Sequence, residues 1–363
     1  MTNREPVSEF VVRREGLESS LEQLRLGAFL VTAPPNIQYL SGFTGSNGAL
    51  LVFRDRTLLF TDPRYATQAP QQCDCDVKIA KGPLVAAIAK YMKRPKLGAL
   101  GFEQNRISFD EYGALKSLLE GVRLKPVNEM VERLRMVKSA AEIGTIKASV
   151  RLNSIALEQG LERFKPSMTE IDLAAEIEYR MRLLGADGKA FDTIVASGER
   201  SALPHAHPTN HPIQMNQLLL VDVGANVAGY ASDMTRTHAL GNLNAQVRRM
   251  YKAVLESQLA AIDSVRPGVS CAYVDRTARD VLRGYGLDKL FVHSTGHGLG
   301  LEIHERPRIG RKERTKLEAG MVITIEPGVY QEGLGGIRIE DTAVVTARGC
   351  EVLTPTGKEL VVL

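Results

Sequence analysis

Cysteine is scarce in this sequence. Four residues, Cys73, Cys75, Cys271 and Cys350, in a chain of 363 make no disulfide framework, and Cys73 with Cys75 lacks the second close pair of a zinc site. Long apolar runs are missing as well. None approaches the roughly 18 residues of a membrane span, and the opening MTNREPVSEFVVRREGLES alternates charges where a signal peptide needs an apolar stretch. The expectation is a cytoplasmic protein with no membrane partner. Nor does one sign of charge dominate: Lys plus Arg number 46 against 42 Asp plus Glu, a net +4 without a long basic run, which argues against nucleic acid as the main partner. With 32 Gly and 16 Pro the chain is too poor in both for a collagen-like class, and its 44% hydrophobic content is that of a globular protein of about two domains.

Residues 47–61, NGALLVFRDRTLLFT, hold two short apolar runs split by Arg54, Asp55 and Arg56, the pattern of a β-hairpin, and the stretches 83–93 and 108–120 read as helices. Together they predict an α/β domain over residues 1–131. From Val131 the segment VERLRMVKSAAEIGTIKASVRLNSIALEQG keeps a helical periodicity without proline. This predicts one long helix that opens a second domain, 132–363.

The second domain echoes itself. Lys165-Pro166, Thr169, Leu173, Arg182 and Gly185 return 101 positions later as Arg266-Pro267, Ser270, Val274, Arg283 and Gly286. In each copy a Ser or Thr shortly after a proline opens an amphipathic helix and a glycine closes it. Each copy follows another helical segment and precedes a strand pair, LLLVDVGANVAGYASDMTRTHAL (218–240) or MVITIEPGVYQEGLGGIRIEDTAVV (321–345), with glycine in both connections. Any two amphipathic helices look somewhat alike. The alternative is a duplicated α-α-β-β unit that closes into one pseudo-symmetric domain.

Acidic residues fall at matching places in the two copies. Asp222 lies in LLLVDV and Glu326 in MVITIE, each at the end of an apolar strand, where an ionised carboxylate is costly unless a positive group meets it. Asp233 follows Asp222 by 11 residues and Glu340 follows Glu326 by 14, so each strand pair brings two carboxylates together. Arg236 and Arg338 are the plausible basic partners on these strands, too few for four acids. Two divalent cations would balance them, and carboxylates bridging metals about 3.5 to 4 Å apart are the usual two-metal arrangement.

Histidine adds an independent signal. All seven (His205, His207, His211, His238, His293, His297 and His304) lie in the second domain. Within FVHSTGHGLGLEIHE, His297 stands between Gly296 and Gly298, which would let the backbone approach a ligand. The same segment lacks the spacing of a dinucleotide fingerprint. The candidate ligands are therefore Asp222, Asp233, His297, Glu326 and Glu340. An oxygen-rich site with one imidazole suits Mn²⁺ or Co²⁺, with Zn²⁺ or Fe²⁺ loaded where available. Two such ions activate water at neutral pH and polarise a carbonyl, so hydrolysis of an amide or ester is the expected chemistry.

These five residues, in this order within VDVGANVAGYASDMTRT, HSTGHGLGLEIHE, ITIEPGVY and GIRIEDT, resemble the pita-bread metallopeptidases, specifically the branch of Xaa-Pro aminopeptidases (aminopeptidase P) and prolidases. PNIQYLSGF (35–43) and TDPRYATQA (61–69) extend the resemblance more loosely into the first domain. It implies fold class α/β (α+β), with a small creatinase/prolidase-type domain before a pseudo-symmetric pita-bread catalytic domain. It also implies two metals, commonly manganese, a peptide substrate with proline in second position, and a homodimer or homotetramer. Asp222 and Glu340 would contact both metals, Asp233 one, and His297 with Glu326 the other, Glu326 also exchanging protons. His205, in SALPHAHP, and His304 would meet the scissile carbonyl and the tetrahedral intermediate, and His293 would line the cleft. Arg338, two residues before Glu340 on the same strand face, would hold a metal-bound carboxylate. Phe191 stands where some relatives carry tyrosine. Release of the first residue from longer peptides is the expected activity, with the Xaa-Pro dipeptidase as the alternative, since Arg308 falls where prolidases often carry an arginine for the free proline carboxylate. A methionine aminopeptidase or a metal-free binding module fits less well.

Overall fold

The computed structural model describes residues 8–92 and 98–363. The first seven residues of the opening segment and residue 93 of the predicted helix 83–93 lie outside them. The chain falls into two units, Met1–Arg135 and Met136–Leu363.

In the first unit the runs LGAFLV, GALLV, TLLFT and ALGFE are buried over nearly their whole length, as strands covered on both faces must be. They form β1 (Leu26–Val31), β2 (Gly48–Val52), β3 (Thr57–Thr61) and β5 (Ala99–Glu103). With β4 (Asp76–Ile79) and β6 (Arg123–Val127) they make a six-stranded mixed sheet in the order β4-β3-β2-β1-β5-β6. The predicted hairpin is β2 with β3, Val52 opposite Thr57. Helices α1 (Glu9–Gln23) and α2 (Pro34–Ser41) are followed by α3 (Leu84–Met92) and α4 (Phe109–Leu118), where the sequence places helices. Ile88, Met92 and Leu115 pack on the sheet through Leu30, Leu51 and Phe60.

The segment expected to form one long helix forms two. α5 (Met130–Met136) stops, Val137 bridges Met321, and the Lys138 amide donates to the Gly320 carbonyl at 2.9 Å. α6 (Ala140–Glu162) then starts afresh at Ser139, which makes a capping box with Glu142. The short sequence SAAE carries that signal, but a reading of periodicity passes over it.

In the second unit the predicted repeat is present. α7 (Glu170–Leu183) is capped by Thr169 and α9 (Cys271–Gly284) by Ser270, each preceded by a longer helix, α6 and α8 (Ala245–Ser264). Gly185 and Gly286 lead the chain away at φ +98° and +74°, a conformation that a side chain opposes. The equivalence reaches contacts invisible in the sequence. Thr169 bridges Pro212 as Ser270 bridges Lys316, and the amides of Ile213 and Leu317 donate to Met168 and Val269 carbonyls at 3.0 and 2.8 Å.

The first strand pair is β8 (Gln217–Val223) with β9 (Met234–Leu240), flanked by β7 (Ile194–Ser197). The second is more divided than a single hairpin. β10 (Gly296–Gly298), β11 (Glu305–Ile309), β12 (Val322–Ile325), β15 (Asp341–Val345) and β16 (Cys350–Val352) form one sheet, while β13 (Gly328–Gln331) and β14 (Gly335–Arg338) pair separately. Pro327 has no N–H for the ladder, and the amides of Glu326 and Glu340 donate elsewhere, to Thr295 at 2.7 Å and Thr235 at 3.1 Å.

His238 on β9 is buried, and neither ring nitrogen meets a hydrogen-bond partner among the described residues. Burial, then the Arg236 charge, pushes its pKa down to about 4. A folded-state value below the unfolded one means that the full stability is present above the unfolded value near pH 6.5 and is lost as the pH falls towards 4. At about pH 5 the loss is ~2 kcal/mol. Replacing His238 with Leu is expected to shrink the drop in Tm between about pH 7.5 and about pH 5 by roughly 5 °C, read by circular dichroism. An unchanged drop assigns the acid sensitivity to other groups.

Candidate active site

One cavity of 580 Å³ in the second unit is lined by Asp222, Asp233, His297, Glu326 and Glu340. The strands deliver them. Asp222, near the end of β8, lies opposite Thr235, and Asp233 shares the Thr235 face two residues earlier. In the second copy the register that pairs Ile325 with Asp341 and Gly328 with Arg338 sets Glu326 across from Glu340, in the gap between the two ladders. The Thr235 hydroxyl donates to Glu340 Oε2 at 2.7 Å, tying the copies together. His297 is the middle residue of β10. A Cβ on Gly296 would stand 1.9 Å from the Thr324 carbonyl, and one on Gly298 2.2 Å from that of Arg306. These glycines admit neighbouring backbone rather than a ligand, which corrects the reason given for them from sequence.

The charges do not balance within the protein. His297 Nε2 lies 3.5 Å from Asp233 Oδ2 and 3.3 Å from Glu326 Oε1, and Asp233, His297 and Glu340 offer ligand atoms all within 4.8 Å of one another. His297 Nδ1 is 3.0 Å from the Gly298 carbonyl. The hydrogen assigned from that contact is on Nδ1, so Nε2 turns a lone pair towards carboxylate oxygens. Burial, then neighbouring acids, pushes Asp233 and Glu340 well above the usual carboxylate range, and burial raises Glu326 to about 7. Asp222 Oδ1 has no hydrogen-bond partner among the described residues. A lone pair facing carboxylates, an orphaned oxygen, and three buried acids with a fourth, Glu326, half-buried make a donor set that fits divalent cations.

Among the described residues, Arg338 is the Lys or Arg side chain that pairs with these acids. It donates to Asp222 Oδ2 at 2.6 Å, to the Thr235 hydroxyl at 3.0 Å, to Tyr330 Oη at 2.6 Å and to the Pro204 carbonyl at 3.2 Å. Arg236, the other basic residue singled out from sequence, faces away and donates to Asp341 Oδ1 at 2.8 Å. The parity of β9 explains this, since Arg236 alternates with Thr235. Tyr330 Oη is 2.8 Å from His293 Nε2, and His293 Nδ1 is 2.8 Å from the Ser294 carbonyl. With Nδ1–H given to that carbonyl, Nε2 accepts the tyrosine proton, and a chain runs Asp222–Arg338–Tyr330–His293. Both His293 nitrogens are therefore occupied. Tyr330 is missed by the reading of the sequence, although Tyr330 and Gly328, the residue opposite Arg338, are alternate residues of β13 and share one face.

The other named residues surround the same space. His205 and Phe191 line the cavity. The loop carrying His205 is held by buried Glu170, which accepts from the Ser197 and Thr209 amides at 2.9 and 3.1 Å and pairs with Arg200 at 3.0 Å. The His304 ring centroid is 4.4 Å from that of His297, and Glu305 beside it is fixed by buried Lys138 at 3.0 Å.

Residues 144–347 match metallopeptidase family M24, and residues 13–137 match the creatinase/prolidase N-terminal domain. The chain is 35% identical over 350 residues to a Xaa-Pro dipeptidase of Pyrococcus furiosus, covering 96% of this chain and 99% of that one. The solved structure of a Xaa-Pro dipeptidase from Bacillus anthracis is similar with a TM-score of 0.95 at 37% identity, covering 98% of this chain and 100% of that one. An X-Pro aminopeptidase from Thermotoga maritima MSB8 gives 0.89 at 36% identity, covering 95% and 100%. Such matches over both units, with a cavity built from acids and imidazole in the duplicated part, show that this chain belongs to metallopeptidase family M24, peptide hydrolases of the pita-bread fold that work with divalent metal.

Proposed function

We propose that the protein is a dinuclear-metal exopeptidase that removes the first residue from peptides with proline in second position. The observation that carries this reading is the convergence of Asp222, Asp233, His297, Glu326 and Glu340 in one cavity. Asp222, Asp233, His297, Glu326 and Glu340 would hold the two ions, with Asp222 and Glu340 as the shared carboxylates, Asp233 serving one ion and His297 with Glu326 the other. Glu340 lies close to both Asp233 and His297, as a shared ligand would. Bound ions, manganese by the donor set with Co²⁺ or Zn²⁺ as alternatives, supply an activated water and an electrophile for the scissile carbonyl. Glu326 takes up and returns the proton of the attacking water. Arg338 orients Asp222 and neutralises part of the acidic cluster. His205 and His304 serve as donors to the developing oxyanion, a role worth about 3 kcal/mol in the transition state. His293, locked by Tyr330, shapes the wall beside them.

Two observations bear on peptide length. His293, Ser294 and Arg308 line both this cavity and an adjoining one, so a chain continuing past proline has an exit, which favours the aminopeptidase. The dipeptidase reading is favoured by Arg308, which meets no carboxylate among the described residues, and by the names of two of the relatives. The proposal extends to a cytoplasmic homodimer or homotetramer. No helix among the described residues is long and apolar enough to cross a membrane.

With Mn²⁺ present, an Ala-Pro-Ala tripeptide is expected to be cut at its first bond faster than the Ala-Pro dipeptide. Cleavage of the dipeptide alone assigns a dipeptidase, and cleavage of neither removes the Xaa-Pro reading. Asp233→Ala and His297→Ala are expected to lose both bound metal and activity while keeping the circular-dichroism spectrum, whereas His304→Ala lowers kcat by about 100-fold with metal content retained. Tyr330→Phe leaves His293 Nε2 unpaired and is expected to lower kcat roughly tenfold with little change in metal content. Wild-type turnover in that variant would show that the Arg338–Tyr330–His293 chain is dispensable.

A further inference from the structure

Beyond Arg308 the catalytic cavity opens into a groove walled by Lys289, Arg311 and Lys312, with Phe291 and Val292 beside them. It starts one strand from the metal ligands, because Arg308 on β11 lies directly opposite His297 on β10. Its charge is one-sided. The neighbouring cations are spoken for: Arg279 holds Asp275 at 2.8 Å, Arg306 holds Glu313 at 3.2 Å and Arg283 lies 3.7 Å from Asp288. Glu313, the acid on the groove wall, is also spent on the Thr315 hydroxyl and amide at 2.6 and 3.0 Å. Arg308 donates to the Ser294 hydroxyl at 3.1 Å. Among the described residues no carboxylate pairs with Arg308, Lys289, Arg311 or Lys312, and all four are exposed.

Cations gathered around one groove repel each other, and an entering carboxylate relieves that repulsion. Buried Arg279 gives the groove a rigid back wall, since it also donates to the Phe291 carbonyl at 2.9 Å and stacks over the Phe291 ring at 4.1 Å. Exposed Val292 offers an apolar contact at the rim. We propose that this groove is a subsite for the peptide downstream of the proline, selective for acidic side chains. The inference rests on the aminopeptidase reading, in which the N-terminal residue sits at the metal ligands and the rest of the chain leaves past Arg308.

The test uses the manganese-loaded enzyme and three pentapeptides that begin Ala-Pro-Ala and end in Glu-Glu, Ala-Ala or Lys-Lys. At low ionic strength kcat/KM is expected to rank acidic above neutral above basic, with the acidic tail favoured about fivefold, chiefly through KM. The preference should fade at about 0.5 M salt. In the double variant Arg311→Ser/Lys312→Ser the acidic-to-neutral ratio should fall towards unity, and a ratio within one preparation is insensitive to the fraction folded. Equal rates for the three tails, or a preference that survives in the double variant, overturns the subsite. If even Ala-Pro-Ala is not cut while Ala-Pro is, the aminopeptidase reading fails first and takes the subsite with it.

Discussion

Four carboxylates, three of them buried, and the lone pair of an imidazole share one cavity in which Arg338 is the guanidinium paired with an acid, and much of the local architecture answers that imbalance. Left to themselves, such groups repel or hold protons, and the rise of Asp233 and Glu340 above the ordinary carboxylate range expresses that cost. The protein meets part of it with fixed dipoles. Thr235 and Thr324 donate to Glu340 and Glu326 at 2.7 and 3.2 Å, and Arg338 satisfies one oxygen of Asp222 while leaving the other without a partner. What remains unsatisfied has the geometry and chemistry of a cation site.

The same imbalance gives meaning to the irregular second strand pair. A continuous hairpin would turn alternate residues to opposite faces and spend the amides of Glu326 and Glu340 within the ladder. Pro327 interrupts the pairing, and the freed amides reach Thr295 and Thr235 instead. The two glutamates thus occupy a gap rather than a rung, opposite each other and next to the strand pair that supplies Asp222 and Asp233. The later ladder, β13 with β14, then carries Tyr330 and Arg338 to the same side.

Much of this is legible in the order of the amino acids. Acids ending apolar runs at matching places in a repeat are hard to place anywhere but against a cation, so the five candidate ligands can be named from sequence, and the caps at Thr169 and Ser270 announce themselves through local hydrogen-bond chemistry. The rest depends on information of other kinds. Helical period does not register a three-residue interruption, so the break at Val137–Ser139 is readable only from the SAAE cap. Arg236 and Arg338 look alike in sequence, and strand parity decides which reaches the acids. The close approach that Gly296 and Gly298 permit is made by Thr324 and Arg306, contacts set by tertiary packing. Tyr330 acts through partners on other strands and loops, which no local pattern announces.

The repeated contacts at Thr169–Pro212 and Ser270–Lys316 show two like halves joined end to end. Each half by itself furnishes a pair of acids and no complete cage, so an unlinked half would need a second copy across a twofold axis before it could trap an ion. A symmetric pair would also have to place every side chain twice. Covalent fusion lifts that requirement: β10 pairs with the Glu326 strand as β7 pairs with the Asp222 strand, yet β10 carries His297 where β7, IVAS, has no histidine, so the two halves are free to contribute different ligands.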